Sequence, residues 1–168
     1  RRVLFRSGMA DGRCLSRKGS PACRRRKRGN QEMANTKGGL NSKIHLAVDA
    51  HGLPVRISLT KGTSADCAQL LDLIDGLEAD TFMADRAYDT DAILAWLDEH
   101  GIEAVIPPKK NRKEQHAYDE YLYKLRHIVE NTFLHLKQWR GIATRYAKNA
   151  ASFLAVLQFR AALMWCRI

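Results

Sequence analysis

No cysteine of this sequence belongs to a C-x-x-C pair: Cys14, Cys23, Cys67 and Cys166 are scattered. That excludes a zinc site or a disulfide framework as the basis of the fold. Also missing is a basic segment followed by a short apolar one, the pattern of a secretory signal. The last apolar run is broken by Gln158 and Arg160 and is too short to span a bilayer. No membrane partner is expected, and the cytoplasm is the expected compartment. The body of the chain lacks net charge as well. All of the formal +10 falls in residues 1–28, where eleven Arg or Lys face Asp11 alone; beyond them 17 cations and 17 anions cancel. Any nucleic-acid surface on the body must therefore be local.

What is present, in 168 residues with 45% apolar content, is enough for one domain with a real core. Residues 1–28 lack helical or strand periodicity and are dense in Arg, Ser, Gly and Cys, so they read as a basic leader with no packed element. RRVLFRS at the start resembles the translation of a sequencing adapter. The domain is expected over residues 29–168. Ile44, Leu46 and Val48 alternate, Asp49–Gly52 reads as a turn with Asp49 as its former, and Val55, Ile57 and Leu59 alternate again, which predicts a β-hairpin. A helix is expected from about Ala65 to Asp75, with Ser64 as its cap, Cys67, Leu70, Leu71 and Ile74 inward, and Gly76 as its stop.

Thr81–Ala84 reads as a short buried strand with Asp85 at its end. Asp89 or Thr90 can cap a helix carrying Ile93, Leu94 and Leu97. Glu103–Ile106 is a further strand, stopped by Pro107 and Pro108. Ligand groups of open α/β sheets cluster at the carboxyl ends of strands, which suits Asp85 as a site carboxylate; a turn or capping aspartate is the plainer alternative. PPKKNRK places Lys109, Lys110, Arg112 and Lys113 on a stiff loop beside that end, as backbone contacts to DNA or as a solvated loop. Trp139–Arg145 adds further cations after a helix stop at Gly141. A covering helix is expected from about Ala151 to Trp165.

The stretch 118–137, YDEYLYKLRHIVENTFLHLK, reads as one helix with two adjacent stripes. Leu122, Leu125, Val129, Phe133 and Leu136 form the apolar stripe. Tyr123, Arg126, Glu130 and Lys137 are spaced 3, 4 and 7 apart and form a polar stripe on its border. Such a carboxylate at a core edge suits a metal or acid/base group, or simply ordinary helix ion pairs.

These last four residues fit the Y-x2-R-x3-E-x6-K signature, and their context closely resembles bacterial insertion-sequence transposases of the DDE type, the large family numbered five. The resemblance runs from about Gly29, at GNQEM, to the end of the chain. It implies an α/β, ribonuclease H-like mixed sheet with flanking helices. It also implies Asp85, in FMADRAYDTD, and Glu130 as catalytic, metal-holding carboxylates, with Tyr88 packed beside Asp85 and Tyr123, Arg126 and Lys137 in support. The cofactor it implies is Mg²⁺ or Mn²⁺ in a two-metal site. The partners would be double-stranded DNA, as terminal inverted repeats and as target, and a homo-oligomer when full length. The first carboxylate belongs on a first strand that is missing or out of frame here. Asp11, eighteen residues before Gly29, lies near its place without matching spacing or neighbours. Active transposition, and an inactive DNA-binding remnant of a decayed element, are the two functional expectations.

Overall fold

The structure, a computed structural model, is described for residues 2–11, 31–36, 39–113 and 115–166, without the side chains of 6–11, 36, 39 and 40. Cys14, Cys23 and the remainder of the basic leader lie outside the described residues.

The first ten described residues overturn one expectation. Arg2–Asp11 form a strand, β1, which runs antiparallel to β3 (Gly39–Val48) from Leu4↔Val48 to Asp11↔Asn41. On its other side β1 pairs in parallel with β5 (Thr81–Met83). The strand expected to be missing is thus at the centre of the sheet. It escapes a periodicity reading because its apolar residues are contiguous. Val3 and Phe5 enter the core on one face and Leu4 the core on the other, the pattern of a strand covered on both sides.

β2 (Ala34–Thr36) and β4 (Pro54–Lys61) both pair with β3, and β6 (Glu103–Val105) pairs in parallel with β5. The order is β2-β3-β1-β5-β6, with β4 beside β3. On one face Leu4, Ile44, Leu46, Val48, Met83 and Val105 pack against α4 (His127–Lys137), α5 (Arg140–Ala143) and α6 (Ala150–Trp165). On the other, Val3, Phe5, Ala47, Phe82 and Ala84 pack against α1 (Leu70–Ile74) and α2 (Asp91–Glu99). The result is three layers around a mixed sheet. Among the described residues no helix is long and apolar enough to cross a membrane.

The hairpin and its turn agree with the sequence: Asp49 Oδ1 accepts from the His51 and Leu53 amides at 2.9 Å. Thr90 caps α2 by accepting from Ile93 N, and Gly101 ends it with φ +65°. Two helices differ. The expected 65–75 helix is a 3₁₀ turn (Cys67–Gln69) followed by five α residues, with no side-chain cap. It buries Leu70, Leu73 and Ile74, while Cys67 is only partly covered. Gly141 stops nothing, because it lies inside α5.

Arg145, one of the cations expected after the signature helix, is buried. It is 3% exposed and takes φ +44°. Its guanidinium donates to the carbonyls of Gln31 and Glu32 at 2.6 and 3.0 Å and stacks on Phe153. Burial pushes its pKa down to about 10, against the attraction of Glu32.

Helix α4 rests on the hairpin turn. Gly52 has φ +81°, and a Cβ there would lie 2.9 Å from Ile128 Cγ2 and 3.2 Å from Thr132 Oγ1. Thr132 Oγ1 donates to Gly52 O at 2.7 Å. Gly52→Ala adds left-handed strain and a steric clash, and should cost about 2–4 kcal/mol. Its thermal midpoint should fall clearly below that of the wild type; an unchanged midpoint would show that α4 does not depend on this contact.

Candidate active site

Asp85 directly follows β5 and Ala84, and its neighbour β6 leads into the PPKKNRK loop, so both stand at the carboxyl ends of parallel strands. Opposite them, the helix expected over 118–137 is divided. Asp119 caps α3 (Glu120–Lys124) by accepting from Tyr121 N and Leu122 N at 2.8 and 3.0 Å. The chain then tightens: Leu125 N bonds Leu122 O, Arg126 N bonds Tyr123 O, and Val129 N bonds Arg126 O, each three residues back. In a 3₁₀ turn residues i and i+3 eclipse one another, so Tyr123 and Arg126 point the same way. Both reach Asp85.

Tyr123 Oη donates to Asp85 Oδ1 at 3.4 Å, and Arg126 Nη1 donates to the same oxygen at 3.0 Å. The same Nη1 lies 3.1 Å from Glu130 Oε1. Two carboxylates 45 residues apart in sequence thus converge on one nitrogen, and their oxygens are at most about 6 Å apart. The side chains of Asp85, Glu130 and Arg126 are 32%, 37% and 42% exposed, open to solvent at the rim of a narrow cleft that Leu4, Met83 and Val129 line below. Burial raises the Tyr123 pKa, with Asp85 adding to the shift and Arg126 opposing it. Burial works against the charge of Arg126, but Tyr123, Asp85 and Glu130 outweigh it and hold its pKa above the ordinary value.

Lys137 stands seven residues beyond Glu130, about 10 Å along the helix, over the Phe133 ring at 5.8 Å. The Tyr88 amide bonds Asp85 O at 2.9 Å, and its buried ring packs edge-on against Phe5, centroids 4.9 Å apart.

Strand register shows where Asp11, the expected first carboxylate, lies relative to Asp85. Leu4 pairs with Met83, and carrying that register forward two residues sets Arg6 level with Asp85. Asp11 pairs with Asn41 five positions further along β1, roughly 16 Å beyond that level. Its side chain is among those not described. Among the described residues no group of three or more His, Cys, Asp or Glu side chains is arranged to hold a metal.

One residue expected as a helix cap has a different role here. Asp89 has a side chain with 0% exposure and anchors the basic loop. Its Oδ2 accepts from Lys109 N and its Oδ1 from Arg112 Nη1, both at 2.7 Å, while Lys109 Nζ donates to Asp89 O. Arg112 also pairs with Asp91. Lys110 and Lys113 remain exposed on the outside of the loop. The signal that could have found this is a carboxylate between two buried elements, next to a basic cluster that needs an anchor.

Comparison with known proteins covers nearly the whole chain. A family model described as "Transposase DDE domain" matches residues 9–165. The protein named as transposase for insertion sequence element IS6501 of Brucella ovis is 37% identical over 131 residues, spanning 76% of this chain and 100% of that protein. The one named for insertion sequence element IS402 of Burkholderia cepacia is 34% identical over 121 residues, covering 65% of this chain and 55% of that one. In three dimensions the fold is similar to piggyBac transposase in its synaptic complex with hairpin DNA. The TM-score is 0.54 at 9% identity, covering 95% of this chain and 45% of that one. The chain therefore spans all of the first relative, but about half of the second and of the piggyBac chain.

Proposed function

Since the chain belongs to the transposase DDE domain family, we propose that its Asp85–Glu130 pair holds a divalent cation for cutting and joining double-stranded DNA. The family's function is DNA transposition, and its enzymes are polynucleotidyl transferases and endonucleases. The fold, mixed α/β and ribonuclease H-like, sets one carboxylate at a strand end and the other on the helix that crosses it. The observation that carries the reading is the convergence of Asp85 Oδ1 and Glu130 Oε1 on one cationic nitrogen.

The donor set fits Mg²⁺ or Mn²⁺, which favour carboxylate oxygens and retain waters for phosphate to replace. A cation held there would supply Lewis-acid activation of the attacking oxygen and charge relief at the leaving 3′ oxygen. The residues around it have separate tasks. Tyr123 orients Asp85 through its hydroxyl, and Arg126 restrains both carboxylates. The carboxylates fit one cation; a second would need a third carboxylate near the level of Asp85, where Arg6 stands. The alternative, an inactive DNA-binding remnant, is no better supported than active transposition.

Lys110 and Lys113, with Lys109 and Arg112 behind them, would follow the phosphates of terminal repeats and target. Lys137 would steady the far end of α4. Working on bacterial DNA, the protein would act in the cytoplasm, as a homo-oligomer when full length.

Mn²⁺ titration followed by electron paramagnetic resonance, with duplex DNA present, tests the reading. Asp85→Asn and Glu130→Gln should each weaken Mn²⁺ binding at least tenfold, on the scale of one lost charged ligand. Equal binding by the double variant and the wild type would overturn it.

A further inference from the structure

We propose that Arg126 couples metal loading to DNA binding: it fills the cation position between Asp85 and Glu130 in the free protein, and a DNA phosphate draws it out. The proposal rests on the metal-holding reading of those carboxylates and adds a mode of regulation to it.

The geometry starts from one atom. Arg126 Nη1 serves Asp85 Oδ1 at 3.0 Å and Glu130 Oε1 at 3.1 Å. A divalent cation needs such oxygens at roughly 2.1 Å, so guanidinium and metal cannot share the gap between them. Metal loading of the free protein therefore requires these two ion pairs to break. With no new partner for the guanidinium, that loss counts directly against metal affinity.

Two features make the exchange feasible. The Arg126 side chain is 42% exposed, so it can swing toward solvent without disturbing the core. The Tyr123 ring lies 5.4 Å from its guanidinium carbon and gives the departing group an aromatic face to rest on. A phosphate diester then offers what the carboxylates had supplied, two anionic oxygens in a geometry matched to the guanidinium fork. The two carboxylates then lose the cation they share, and a divalent cation can take its place between them. Metal thus competes with Arg126 for the carboxylates, DNA competes with the carboxylates for Arg126, and each assists the other. By linkage, whatever factor DNA contributes to metal affinity, metal contributes to DNA affinity.

Partly exposed ion pairs are weak individually, so the expected coupling is about tenfold. The test measures Mn²⁺ affinity by electron paramagnetic resonance, with and without a short duplex. Asp85→Asn/Glu130→Gln is the background for Mn²⁺ held by the DNA itself. In the wild type, carboxylate-dependent affinity should rise about tenfold when duplex is added. Arg126→Gln should bind Mn²⁺ about tenfold more tightly than the wild type without DNA, and duplex should then change its affinity less than about twofold. Wild-type affinity indifferent to duplex would overturn the coupling, as would an equal rise in wild type and Arg126→Gln. A different failure is also visible. If no Mn²⁺ binding depends on Asp85 and Glu130 even in Arg126→Gln with DNA, the metal reading itself falls, and the coupling with it.

Discussion

Arg6→Asp should turn a weak metal site into a strong one. The chain as it stands should show little or no Mg²⁺-dependent cleavage of duplex DNA, because the position level with Asp85 on the adjacent strand carries a cation. Neighbouring strands are about 4.8 Å apart. A carboxylate introduced one strand over from Asp85 adds a negative charge beside a divalent ion there, worth several kcal/mol, roughly, even at an effective dielectric of 20. We expect Mn²⁺ affinity to rise at least tenfold in the variant and Mg²⁺-dependent nicking of duplex to appear. Glu130→Ala in the same background should abolish both gains. Asp11→Asn should leave them intact, because Asp11 lies roughly 16 Å further along the strand. If Arg6→Asp binds Mn²⁺ no better than the wild type, the register argument is wrong. If Asp11→Asn removes the gain, Asp11 is the first carboxylate after all.

Arg6 also lies outside the span of the family match, which begins at residue 9. On the proposed reading, the position that would need a third carboxylate is therefore supplied by the unmatched segment. That segment still makes a good strand. Val3, Leu4 and Phe5 are 6%, 1% and 2% exposed, and any short apolar run of suitable size can serve at a position covered on both faces. Folding and catalysis ask different things of the same strand, and here the first can be met without the second.

The same distinction explains which parts of the site were legible in the sequence. Tyr123, Arg126 and Glu130 share a face because of spacing within one or two helical turns, and Asp85 follows a short buried strand; such signals are local. Their meeting point was not local, and the resemblance to a known family supplied it. The 3₁₀ tightening at Leu125–Val129 was invisible, since periodicity over twenty residues averages across a break of one turn. Asp89 read as a cap because its neighbours resemble a helix start, whereas its burial comes from Lys109 and Arg112, 20 and 23 residues later. Arg145, expected only as one of several further cations, has partners, Gln31 and Glu32, more than a hundred residues earlier. Charge in a sequence shows no partner until the fold provides one.

The basic loop should divide into two classes of cation with opposite signatures. Arg112 pairs with a carboxylate of 0% exposure, and removing one partner of a buried pair leaves an uncompensated charge. Arg112→Ala should therefore cost roughly 3–5 kcal/mol of stability. Asp89→Asn should cost less, because its amide oxygen can still accept from Lys109 N. Lys110 and Lys113 are exposed, and Lys110→Ala/Lys113→Ala should change stability by less than about 0.5 kcal/mol. If they follow the DNA backbone, however, the double variant should flatten the dependence of log affinity on log salt by nearly two units, roughly 0.9 for each lost phosphate contact. Binding of all duplex sequences should weaken together, since backbone contacts carry no base information. Chemical denaturation and salt-dependent binding, run on the same variants, separate the classes. An unchanged salt slope in Lys110→Ala/Lys113→Ala would make the loop a solvated surface held by Asp89. A stable Arg112→Ala that lost the slope instead would show that Arg112 leaves Asp89 to meet the phosphate, and that the anchor is a switch.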